Sequence, residues 1–105
     1  MSEPGSGDWH MVLGAKVQWP ADMPDNMLEF VIESAKATIG AVDNWHEGTD
    51  ADDAVAALRQ KLEDEYDPYW HVFAGRSFGT EATHESRRYA FFYLGDRAVL
   101  VYKTS

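Results

Sequence analysis

The chain has 105 residues, of which 45% are hydrophobic and 13% aromatic; this is enough for one small globular core and excludes overall disorder. A formal net charge of −9 argues against nucleic acid, whose binding depends on Lys and Arg neutralising phosphates, and against anionic lipid surfaces. With no cysteine, no basic-then-apolar leader and no apolar run long enough to span a bilayer, a soluble protein of the cytoplasm or cytoskeleton is expected.

Residues 1–8 are small and polar, with two glycines and a proline, and are expected as a flexible N-terminal arm ahead of a single domain over 9–105. From Trp9 to Trp19 the residues alternate, with Met11, Leu13, Ala15 and Val17 on one side and Val12, Lys16 and Gln18 on the other. That pattern predicts one half-buried strand ended by Pro20. Asp22 with Pro24 reads as a helix start, the aspartate capping free N–H groups and the proline occupying the first turn. Leu28, Val31, Ile32, Ala35, Ile39 and Val42 then recur at three- and four-residue steps, which places them on one core-facing stripe, while Glu29, Glu33 and Lys36 face away.

Asp43 to Gly48 is polar apart from Trp45 and reads as a loop, in which Trp45 is either a staple folded back on the domain or an anchor for a partner. Thr49 or Asp50 caps a second helix with the stripe Ala51, Val55, Leu58, Leu62 and Tyr66, and Pro68 sets its end near Asp67. The composition then turns aromatic and β-branched, predicting four strands at Tyr69 to Ala74, Phe78 to Thr83, Tyr89 to Leu94 and Ala98 to Tyr102. Gly95-Asp96 suits a two-residue hairpin turn. Strand, two helices, then strands is an α+β order.

Little in the chain points to chemistry. The pairs His46-Glu47 and His84-Glu85 are sequence neighbours, and neighbours in a strand point to opposite faces, so neither chelates a metal readily. Thr83-His84-Glu85-Ser86 has triad residue types without the convergence that a triad needs. Gly75-Arg76-Ser77-Phe78-Gly79 lacks the lysine and the glycine spacing of phosphate loops. Asp50, Asp52 and Asp53 sit where negative charge favours a helix N-terminus. No cofactor, no metal and no enzymatic activity are expected. The short segment Phe78 to Thr83, between glycines and beside a charged run, makes a poor central strand; one reading has it leaving its own domain to pair with another copy and offering an edge to a peptide.

The series Tyr66-Asp67-Pro68-Tyr69-Trp70-His71-Val72-Phe73-Ala74-Gly75-Arg76-Ser77-Phe78-Gly79, followed by Thr83-His84-Glu85, Phe91-Phe92-Tyr93-Leu94-Gly95 and Lys103, resembles the signature of the small dimeric dynein light chains. The likeness is collinear from about Lys16 to the end of the chain. It implies a strand, two helices and a four-stranded antiparallel sheet completed by the strand around Phe78 to Thr83 crossing over from the partner subunit. It further implies two grooves that take extended client segments, such as those of dynein intermediate chains, as added strands. Ser77, Phe78, Gly79, Thr80, Glu81, Ala82 and Thr83 would form the edge, His84, Phe91 and Tyr93 the lining, and Ala51 and Asp52 one end.

The same resemblance places Phe78 to Thr83 and His71 at the dimer interface, where protonating His71 beside its symmetry mate is expected to weaken association. The subunits would be a homodimer or a heterodimer with a related light chain. Three departures bear on clients: Asp52 stands where the family usually has lysine, Glu81 where tyrosine is usual, and the loop between the helices is longer. They point to a specialised member with dedicated partners, as in a ciliary or flagellar axonemal motor; the competing expectation is a motor-independent dimerisation hub.

Overall fold

The computed structural model describes residues 8–19, 21–43, 45, 49–76 and 88–104. Over these the chain runs β1 (Asp8–Val12), β2 (Ala15–Trp19), α1 (Asp25–Thr38), a 3-10 turn at Ile39–Ala41, α2 (Thr49–Glu65), β3 (Trp70–Gly75), β4 (Arg88–Leu94) and β5 (Arg97–Lys103). The strands form one antiparallel sheet in the order β1-β2-β4-β5-β3, and both helices cover one of its faces. This is the expected α+β arrangement. The expected strand Phe78 to Thr83 and most of the expected arm lie outside the described residues.

The core is the seam between helices and sheet. From α1 come Leu28, Val31, Ile32 and Ala35, from the turn Ile39, and from α2 Ala51, Ala54, Leu58 and Leu62. These meet Val17, Trp70, Val72, Ala90, Phe92, Val99 and Val101 from alternate positions of the strands. Each fully buried Val, Leu or Ile contributes about 1.5–3 kcal/mol relative to exposure. Glu29, Glu33 and Lys36 are exposed, as the helical period requires.

The single strand expected over Trp9 to Trp19 is in fact a hairpin. Leu13 and Gly14 both take positive φ, 52° and 85°, the combination of a type I′ turn whose twist suits two short strands. The Lys36 ammonium donates to the Leu13 carbonyl at 2.8 Å and holds the turn to α1. The reversal changes which side chains share a face: Met11 pairs with Lys16 and Val12 with Ala15. Met11 therefore lies away from the helices, opposite to Ala15 and Val17, while Val12 packs against the core. A continuous alternation conceals this because a two-residue turn preserves the apolar spacing.

Asp22 does not cap α1. Its N–H donates to the Tyr89 carbonyl at 2.8 Å and its carbonyl accepts from the Tyr89 N–H at 3.0 Å, so the segment is held as a bridge to β4, and the helix begins at Asp25 with Pro24 as N-cap and no side-chain cap. At the other hairpin, Gly95 takes a φ of 62° between β4 and β5, as its position predicts. α2 ends at Glu65, shortly before Pro68. Tyr69 and Thr104 then exchange two backbone hydrogen bonds and lengthen the β3–β5 ladder.

Trp45 is the staple rather than the anchor: it is 6% exposed and belongs to the core. The Arg97 guanidinium sits 5.4 Å from its ring centroid and donates to the carbonyls of Ile39 at 2.7 Å and Asp43 at 3.2 Å. One arginine thus ties the start of β5 to the loop between the helices. Replacing Trp45 by Ala is expected to lower unfolding stability by about 3–5 kcal/mol, read from urea denaturation; a loss below about 1 kcal/mol would return the residue to the surface role.

Candidate functional site

The sheet face turned away from the helices is apolar and aromatic. Because side chains alternate along a strand, the registers send Trp9 and Met11 of β1, Lys16 and Gln18 of β2, His71 and Phe73 of β3, Tyr89, Phe91 and Tyr93 of β4, and Leu100 and Tyr102 of β5 to this side. Tyr89, Phe91, Ala98 and Leu100 form a second buried cluster, with Tyr93 and Tyr102 packed against it. An antiparallel sheet with one helix layer ordinarily shows polar residues on its other face, and an apolar face of this kind marks an interaction surface.

Two aromatic groups organise the face. Near β3, His71 stacks on Tyr102 at 4.8 Å, and the Phe73 ring lies nearly parallel to the same ring at 6.2 Å. His71 Nε2 also lies 3.1 Å from Thr104 Oγ1. Phe73 remains 51% exposed. Near β1, the Trp9 indole packs against Phe91 at 6.0 Å and Tyr93 at 5.8 Å, those two rings being 5.6 Å apart. Lys16 Nζ sits 5.2 Å from the Trp9 ring centroid, a cation–π contact worth about 0.5–1 kcal/mol at an exposed site. Burial pushes the Tyr89 hydroxyl above the ordinary tyrosine pKa.

Of the residues expected in the groove, Phe91 and Tyr93 stand together on this face, and Tyr93 is half-buried while Phe91 is covered. Asp52 is exposed in the first turn of α2, whereas Ala51 beside it is turned into the core. Those two lie in the helix layer, so within one chain the sheet separates them from the aromatic wall. Ser77, Phe78, Gly79, Thr80, Glu81, Ala82, Thr83 and His84 fall outside the described residues. His71, expected at a dimer interface, is half-buried on β3, and among the described residues no strand pairs with the outer edge of β3.

Trp9 and Phe73 enter the site without having been singled out by sequence reasoning. The signal was present for Trp9 in its alternation with Met11, but the hidden hairpin obscured which face it takes. Among the described residues no group of three or more His, Asp or Glu is placed to hold a metal ion, and no helix is long and apolar enough to cross a membrane.

The family model described as dynein light chain type 1 matches residues 15–104. The chain is 38% identical over 85 residues to a dynein light chain of Schistosoma mansoni, covering 80% of this chain and 88% of that one. It is 33% identical over 84 residues to dynein light chain 1, cytoplasmic, of Candida glabrata, covering 80% and 91%. Among solved structures, the dynein light chain-like domain of a Fasciola hepatica calcium binding protein superposes with a TM-score of 0.68 at 19% identity, covering 90% of this chain and 96% of that one, a likeness of fold.

The buried hydroxyl of Tyr89 gives the face an alkaline limit. Its neutral form is favoured in the folded state, so the stabilisation is whole below the ordinary tyrosine pKa of about 10 and is lost as pH rises through the higher folded value. The urea midpoint is expected to fall in that alkaline range, and to fall less in Tyr89→Phe; identical alkaline profiles for both proteins would contradict this.

Proposed function

The chain belongs to the dynein light chain family, and from that premise we propose that it is a dynein-associated light chain acting as a dimeric hub. The family is non-catalytic, and the chain is not an enzyme. In this reading residues 9–105 are the working domain, joined by Asp8 of β1, which pairs with Trp19, and 1–7 are an arm. Two copies exchange the strand around Phe78 to Thr83, each laying it along the outer edge of the other's β3. The free side of that strand then accepts an extended client segment, such as one from a dynein intermediate chain, by strand addition.

The observation that carries the reading is the outer edge of β3, without a strand partner among the described residues and flanked by the exposed ring of Phe73. Unpaired edges of apolar strands invite pairing with another chain. A second support is geometric. The start of α2 and the Phe91–Tyr93 wall lie on opposite sides of one sheet, so a groove using both requires a second copy. His71, stacked on Tyr102 beside Phe73, belongs to that interface.

Backbone hydrogen bonds contribute only about 0.5–1.5 kcal/mol each, so one short client strand binds modestly. Two grooves in one dimer make the second contact intramolecular and favour clients that are themselves paired. Ser77 to His84, Phe91 and Tyr93 are the client-facing residues of the proposal, with Ala51 and Asp52 at one end. Asp52, where lysine is usual, disfavours acidic clients and selects dedicated partners. The setting is the cytoplasm and cytoskeleton, and specialised clients favour an axonemal motor.

Sedimentation of the wild type at micromolar concentration is expected to give a dimer, and Phe73→Glu to raise its dissociation constant by about tenfold or more, or about 1.4 kcal/mol, while far-ultraviolet circular dichroism stays unchanged. A wild type that sediments as a monomer at every concentration sinks the exchange. Recovery with dynein intermediate chains in cell fractions is the second test; absence from dynein particles with retention of other partners would favour the motor-independent hub.

A further inference from the structure

The strand β1 lies ahead of the residues that match the family model, yet it pairs along the whole of β2 and lays an indole on the groove wall. Trp9 contacts both Phe91 and Tyr93. Exposure separates the three rings: Trp9 is 36% exposed, Phe91 only 3%, and Tyr93 is half-buried. Of the three rings, the indole is therefore the most open to an incoming side chain. Two further contacts hold the ring in place, the Lys16 ammonium over its face and the β1–β2 ladder beneath it, so little entropy remains to be lost when a client packs there. Met11, two residues on and on the same face, is 68% exposed and continues the apolar strip.

We infer that Trp9 is a specificity-determining residue of the client groove, an aromatic surface that selects clients carrying an aliphatic or aromatic side chain at the position facing it. The inference rests on the groove reading above and deepens it. The net charge of −9 already disfavours acidic segments, and a broad indole edge supplies the attraction that backbone pairing alone does not discriminate. The strand ahead of the family match thus bears on what the groove accepts without altering the residues that match.

The test begins with a random-peptide library displayed on phage and selected against the full chain. An enriched peptide and its alanine variants are then titrated against wild type, Trp9→Ala and Trp9→Phe. One apolar peptide side chain is expected to be coupled to Trp9: its replacement by alanine weakens binding to wild type by about tenfold and to Trp9→Ala hardly at all, with Trp9→Phe in between. In the wild type, the assigned Trp9 indole N–H resonance is expected to shift as that peptide saturates, a measurement that does not depend on any variant folding. Enrichment of no peptide overturns the groove reading and this inference together. Peptides that bind Trp9→Ala as well as or better than wild type, or that saturate without moving the Trp9 resonance, overturn the inference alone.

Discussion

The central strands β4 and β5 are apolar on both faces, and the rest of the molecule answers to that constraint. On one side Ala90, Phe92, Val99 and Val101 are sealed by the helices. On the other, Tyr89, Phe91 and Leu100 are buried on the face opposite the two described helices. A two-layer domain provides one apolar seam; a sheet with apolar side chains on both faces requires two. Part of the second cover comes from within, since the N-terminal hairpin brings Trp9 over Phe91 and Tyr93. At the β3 end the cover is incomplete, and Phe73 stands half exposed beside an edge without a strand partner among the described residues.

The two helices are legible in the sequence because their constraint is local and periodic. Leu28, Val31, Ile32, Ala35 and Ile39 can share a face only on a helix, and all five are buried. The β4–β5 hairpin is legible for a similar reason, since Gly95 falls between two apolar alternations. The N-terminal hairpin is harder to read. A turn of two residues leaves the alternation of a strand intact, and the one visible sign is Gly14 inside it, a residue that in a strand pattern signals an interruption of the ladder. Trp45 shows a different limit: whether a loop aromatic folds inward depends on a distant partner, here Arg97, and no local window contains both.

The site was legible in kind more than in place. Alternation says that Phe91 and Tyr93 share a face, but not which layer covers it, because β4 is apolar at both alternate sets. What located the face was the register of β4 against β2 and β5, a long-range quantity that composition does not carry. The motif series Trp70-His71 to Gly95 supplied the expectation of a groove through family likeness, whereas the strand that packs Trp9 on Phe91 and Tyr93 precedes the matched residues.

The acidic start of α2 illustrates how surface charge can vary at little cost to the fold. Asp50 and Asp52 lie in the first turn, where the exposed N–H groups and the helix dipole favour negative charge by about 0.3–1 kcal/mol each. Asp52 is exposed and Ala51 is sealed in the core. Substitution at Ala51 is therefore constrained by packing, while at Asp52 the exposed first turn favours an acid at no cost to the core. Asp52 and the β1 strand both stand at the margins of the helix–sheet seam, and the buried side chains that hold it belong to other positions.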